Sequence, residues 1–181
     1  MKRIFMIAVL VTIFTVVTFC SNSMALSAKG LDAEVDGTLE LFEATKGANG
    51  MLDKAKGVLI FPSIVKAGFG IGGEYGEGSL RIDGKTEGYY NTVAASIGFQ
   101  IGVQKKSIII AFMRQAPLDK FLNSSGWKIG ADASIAVIAV GADGGIDTAT
   151  YDEPIIAFVF DQKGLMYNLT LEGAKITKIK K

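Results

Sequence analysis

Two periodicities divide the chain. In "LDAEVDGTLELFEAT", Leu31, Val35, Leu39 and Phe42 recur at helical spacing, with Asp32, Glu34, Asp36, Glu40 and Glu43 between them. This pattern predicts an amphipathic helix with its negative charge weighted toward the N-terminal half, as the helix dipole favours. Gly37 weakens the helix slightly, and Gly47 to Gly50 end it. "MLDKAK" is then read as one or two further turns before Gly57. Beyond Gly57 come short runs rich in β-branched and aromatic residues: "GVLIFP", "KAGFGIGG", "GSLRID", "YYNTVAASIGFQIGVQ", "SIIIAFM", "WKIGADASIAVIAV", "GIDTATY", "PIIAFVFD" and "GLMYNLTLEG". Turn signals separate them at "RIDGKTEG", "QKKS", "GADGG", "YDEP" and "DQKG". That rhythm predicts an antiparallel β body. One short helix is expected near 117–123, between Pro117 and Gly126. The expected class is α+β, mainly β: an N-terminal amphipathic helix packed on a largely antiparallel sheet or sandwich.

"KAGFGIGGEYGEG", residues 66–78, contains a G-x-G-x-x-G spelling at Gly68, Gly70 and Gly73. A phosphate-binding loop needs those glycines at a strand-to-helix turn. Here the period is two: Gly68, Gly70 and Gly72 share one face, with Phe69 and Ile71 on the other. Residues 94–103 repeat the pattern, with Ala94, Ser96, Gly98 and Gly102 opposite Ala95, Ile97, Phe99, Ile101 and Val103. Glycine within a strand marks close approach of another backbone or element. The expectation is a small-residue sheet face with the N-terminal helix lying over it.

Residues 1–25 read as an export segment. Lys2 and Arg3 precede an apolar run from Ile4 to Phe19, and Ser23-Met24-Ala25 supplies the small residues of a cleavage site. Residues 26–181 are then a single domain, periplasmic or secreted and peripheral to a membrane. Lipidation at Cys20, the only cysteine, is disfavoured by the bulk of Phe19 before it. Loss of residues 1–25 removes two basic residues and no acid, turning a formal charge of +1 into 17 basic against 18 acidic groups, or −1. So balanced a chain is not built for nucleic acid, which demands many phosphate contacts. No histidine occurs, which removes the usual general base and the commonest zinc ligand. Glu74 with Glu77, and Asp152-Glu153, are the carboxylate pairs that acid–base chemistry would need, but they stand in turn-like sequence without a nucleophile motif. Asp143 and Asp147 fall short of a calcium ligand set. The expectation is no enzyme, no metal and no cofactor.

The strings "AKGVLIFPSIVKAGFGIGGEYGEGSL", "IGFQIGVQKKSIII", "GADASIA" and "GLMYNLTLEGAKI", in this order and spacing, resemble the SYLF family across roughly residues 31–179. Its members are lipid-binding domains of endocytic adaptors and small exported bacterial proteins; the yeast members are also described as actin-binding. The resemblance implies non-catalytic binding of anionic lipid head groups. An exported bacterial domain meets neither phosphoinositides nor actin, which leaves anionic phospholipid at a membrane surface. The alternative is an envelope protein–protein module without lipid specificity. Lysine clusters are the candidate lipid contacts, each lysine contributing on the order of 1 kcal/mol near an anionic surface. They are Lys54, Lys56 and Lys66 around "GVLIFPSIV"; Lys105 and Lys106, read as a hairpin tip; and Lys175, Lys178, Lys180 and Lys181 near the C-terminal end. The N-terminal helix, acidic on its polar face, has the wrong sign for anionic lipid and is read as a cover for the sheet.

Overall fold

The computed structural model describes residues 26–45, 48–140, 152–164, 171 and 173–181. The export segment with Cys20, the "GADGG" turn with Asp143 and Asp147, the "GIDTATY" run and most of "GLMYNLTLEG" lie outside them.

Helix α1 (Ala28–Glu43) starts where Ser27 Oγ accepts a hydrogen bond of 3.1 Å from the Gly30 amide. Its buried stripe is Leu31, Val35, Thr38 and Phe42. "MLDKAK" does not continue it. Residues 48–55 form successive tight turns, closed by bonds such as Met51 N–H to Ala48 O at 3.1 Å, which drop Ala48 and Met51 into the apolar layer under the helix.

The remaining architecture is one sheet around a long hairpin. β1 (Gly57–Ile82) and β2 (Lys85–Phe112) pair antiparallel from Gly57↔Phe112 to Ile82↔Lys85. Asp83 and Gly84 form the two-residue turn, with φ of 49° and 73°, the left-handed pair that such hairpins require. The predicted breaks within this hairpin are absent. "QKKS" is continuous β2, because Lys106 and Ser107 find partners within the sheet: Glu74 for the lysine and the Pro62 carbonyl for the hydroxyl.

α2 (Gln115–Leu122) is the expected short helix, and β3 (Trp127–Lys128), β4 (Ala136–Ala139), β5 (Ile155–Gly164) and β6 (Lys175–Ile179) complete the described elements. β5 pairs antiparallel with the Gln104–Phe112 half of β2, and β4 pairs parallel with β5. β6 pairs with Tyr89–Val93, and β3 with β6. "DQKG" is not a turn either; it extends β5 through a bulge at Asp161, where φ is 49°.

The hairpin curls, so its two ends enclose one core. Leu59, Phe61, Leu80, Tyr90, Ile110, Phe112, Ala157 and Ile176 point inward. α2 closes this core with Phe121, whose ring centroid lies 5.0–5.3 Å from those of Tyr90, Phe112 and Trp127. Ile60, Ile109, Ala111, Ile156, Phe158 and Phe160 point outward and are buried by α1, with Phe42 4.9 Å from Phe158. Burial on both faces explains why "VLIF", "SIIIAF" and "PIIAFVF" are nearly unbroken apolar runs.

Glycine permits the curl. A Cβ on Gly78 would stand 2.0 Å from the Ile60 carbonyl oxygen, and one on Gly76 2.7 Å from Ile64 Cγ1. The second limb of β1 therefore passes directly against its first, and at the bend a Cβ on Gly68 would meet Gly72 Cα at 2.6 Å. The expected close approach is present, but its partner is β1 itself. α1 does not lie over the small-residue face. It covers the bulky Ile60–Phe160 layer, where more apolar area leaves water.

Candidate functional site

At the bend, the two faces of the hairpin differ. The register places Val65, Ala67, Ile71, Gly73 and Tyr75 of β1 on one face with Val93, Ala95, Val103 and Lys105 of β2. α1 stops short of this outer face. Ile71 is 72% exposed and Val103 60%, while Val65, Tyr75 and Val93 are also exposed. Contiguous exposed aliphatic side chains on one sheet face are unusual and mark a contact surface. The face runs into an open cleft of about 1110 Å³, lined by Leu26, Leu31, Ser63, Val65, Tyr75 and Val93 among others.

Lys105 sits at the edge of this face, directly paired across the strands with Val65 on one side and Lys163 on the other. Like charges directly opposite one another oppose pairing. Asp161 holds Lys163 at 3.0 Å, but the lysine stays 70% exposed, and Lys105 has no ion pair among the described residues. Lys163 was hidden from sequence reasoning inside "DQKG", read as a turn; its position opposite Lys105 depends on the bulge at Asp161.

The other candidate lysines are dispersed. Lys54 and Lys56 are exposed in the turns before β1, and Lys175, Lys178 and Lys180 are exposed on or after β6. Lys181 is engaged: its Nζ donates to the Leu26 carbonyl at 2.8 Å and to Glu77 Oε2 at 2.5 Å. Burial pushes the Glu77 carboxyl up, but hydrogen bonds from Lys181 and Tyr75, together with the Lys181 charge, outweigh it and hold the group below its ordinary value. Lys66 and Lys106 require a correction. They are not surface groups and Lys106 is not at a hairpin tip; their side chains are 4% and 1% exposed. The register turns both to the inner face of the bend, where Glu74 Oε1 lies 3.5 Å from Lys66 Nζ and 3.2 Å from Lys106 Nζ.

The acids of α1 have an internal role. Asp36 Oδ1 is 2.8 Å from the Arg81 guanidinium, and Asp32 is 3.2 Å from the same group. Asp32 also accepts from Tyr89 Oη at 2.8 Å and from the Thr86 hydroxyl at 3.0 Å. That hydrogen bond to Asp32, then burial, raises the Tyr89 phenol above its usual value. The acidic face thus pins α1 to the turn end of the hairpin. The carboxylates considered for catalysis do not converge: Glu74 and Glu77 are separated by an odd number of strand positions and face opposite sides, and Asp152 and Glu153 are exposed.

A curled, mainly antiparallel sheet, helix-covered over part of its outer face and bare at the bend, defines a mainly-β α+β domain presenting a sheet surface. The family described as "Ysc84: Las17-binding protein actin regulator" matches residues 93–181, from the second limb of the bend through β6. Over these residues the match agrees with the SYLF family that the sequence resembles, a family associated with lipid- and actin-binding adaptors. No curated protein matches the chain.

Proposed function

We propose that the domain binds an anionic phospholipid surface, without catalysis, through the bare outer face of the bend. The observation that carries this reading is the juxtaposition of exposed Val65, Ile71, Tyr75, Val93 and Val103 with the cross-strand pair Lys105 and Lys163. Two lysines near an anionic surface supply about 2 kcal/mol. Fully burying one aliphatic side chain supplies about 1.5–3 kcal/mol. The apolar term therefore dominates, and lysine selects the charge of the surface.

An exported domain meets such a surface in the envelope, in keeping with the pattern of residues 1–25. Vesicle flotation tests the reading. The protein should float with phosphatidylglycerol-containing vesicles and not with phosphatidylcholine alone, and salt should weaken the association. Replacing Ile71 and Val103 by serine should reduce flotation more than replacing Lys105 and Lys163 by alanine. Absence of flotation with every vesicle would defeat the lipid reading and leave the same apolar face to a protein partner of the envelope.

A further inference from the structure

The small residues of the bend leave a cleft that the protein does not fill. Its volume of about 1110 Å³ reaches the upper end of the range for small-molecule sites. The floor includes Ala67 and the cross-strand pair Gly73 and Ala95, all exposed. Leu26 and Leu31 line it from the start of α1, and Val65 and Val93 from the sheet. Side-chain size is what keeps the space open: a Cβ on Gly73 would meet only the Ala94 carbonyl oxygen, at 3.8 Å, among the described residues.

The hydrogen-bonding side chains of the lining are largely spent. Glu74 is engaged by Lys66 and Lys106, and Glu77 by Lys181 and by the Tyr75 hydroxyl, which donates at 2.8 Å. What remains is the Ser63 hydroxyl and two charges, Glu34 and Lys105, which form no ion pair among the described residues. A sugar, a nucleotide or a peptide would give up its hydration here for few hydrogen bonds in return. A hydrocarbon chain has none to give up, and each methylene that leaves water strengthens binding about fourfold.

We infer that the cleft takes one single-chain lipid with an anionic head group, the chain on the small-residue floor and the head at Lys105. Glu34 repels the head from the α1 side, and Lys163, opposite Lys105 on β5, adds a second positive charge. The cleft is open, so a second chain would lie above the first and face water, which limits the ligand to one chain. This goes beyond docking on a bilayer, because the domain then holds a lipid molecule away from any membrane. Ile71 and Val103, the two most exposed aliphatic side chains of the bare face, are not part of the cleft lining, so the two activities can fail separately.

The test is titration of the full chain with lauroyl lysophosphatidylglycerol, kept below the concentration at which it forms micelles. Calorimetry should show saturable one-to-one binding, and Tm should rise by about 5–10 °C at about 100 times the dissociation constant. Glycerophosphoglycerol, the same head group without its chain, should leave Tm unchanged. Lys105→Ala should weaken the lysolipid about fivefold. Gly73→Phe should abolish its binding by filling the cleft, while the variant still floats with phosphatidylglycerol vesicles through Ile71 and Val103. Should Gly73→Phe not fold, Ala95→Leu on the neighbouring strand fills the same floor. Flotation without saturable lysolipid binding by the wild-type chain overturns the cleft site and keeps the bilayer reading; lysolipid binding without flotation does the reverse. Binding that is unchanged in a folded Gly73→Phe or Ala95→Leu chain, or a Tm rise with the bare head group equal to that with the lysolipid, also overturns the site.

Discussion

Two regions of the β1–β2 hairpin, its open end and its bend, are made from the same strands and finish differently. Near Leu59–Phe61 and Ile108–Phe112 both sheet faces are buried, one by the curled core and one by α1. Near Val65–Tyr75 and Val93–Lys105 the inner face carries small residues and the Glu74 ion cluster, while the outer face is aliphatic and bare. β-branched and aromatic residues occur in both regions, so composition does not separate them. What separates them is the reach of α1, whose Asp32 and Asp36 are fixed by Arg81, Thr86 and Tyr89. An apolar face left uncovered by the protein's own helix is available to something else.

Substitutions can break that comparison, the most severe acting where the limbs touch. Gly78→Val places atoms on the Ile60 carbonyl, where even a Cβ would be 2.0 Å away, and should abolish the cooperative unfolding transition seen by circular dichroism. Gly73→Ala, at the bare bend, meets only the Ala94 carbonyl oxygen at 3.8 Å among the described residues and should unfold within about 0.5 kcal/mol of wild type. In the covered region, Phe42→Ala empties the space between Phe158 and Phe160 and should cost about 3–5 kcal/mol in denaturant titration.

Acid should act between these extremes. Because Glu77 is held below its ordinary value in the folded state, its contribution is present above the unfolded carboxyl value and is lost as pH falls through the folded one. Tm measured from pH 7 to pH 3 should therefore fall less steeply in Glu77→Gln than in wild type, from a lower plateau at neutral pH. The smallest effect on stability belongs to the bend: Lys163→Glu should leave Tm nearly unchanged, since the opposite-charge pair gained with Lys105 offsets the exposed ion pair lost with Asp161. The same change should weaken flotation with anionic vesicles, separating binding from stability at one position.

Local pattern carried much of this fold. The stripe Leu31, Val35 and Phe42 located α1, and Asp83-Gly84 marked the hairpin turn, because each signal is contained within a few residues. Strand continuity was not legible in the same way. "QKKS" and "DQKG" look like turns because polar residues usually face water, and only the folded sheet supplies Glu74 to Lys106 and bends Asp161 to Lys163. The same limit governed the lysines. Alternation puts Lys105 and Lys106 on opposite faces, but which face lies inside depends on how Gly76 and Gly78 let β1 fold against itself. Lys163 joined Lys105 only through the β2–β5 register, which no local signal encodes.

The turn at Asp83-Gly84 also bears on how fast the domain is made. Gly57 and Phe112 are partners although 55 positions separate residue 57 from residue 112. Closing that separation in one step is entropically slow, whereas a two-residue turn lets pairing advance by neighbours, and a short hairpin forms in about 1–10 μs. The order of assembly is then outward from the middle of the chain. The limbs must zip through the glycine-rich bend before residues 57–61 and 108–112 meet and offer α1 a surface. Gly84→Val should accordingly slow refolding much more than it speeds unfolding, a kinetic mark of a register written at a single turn.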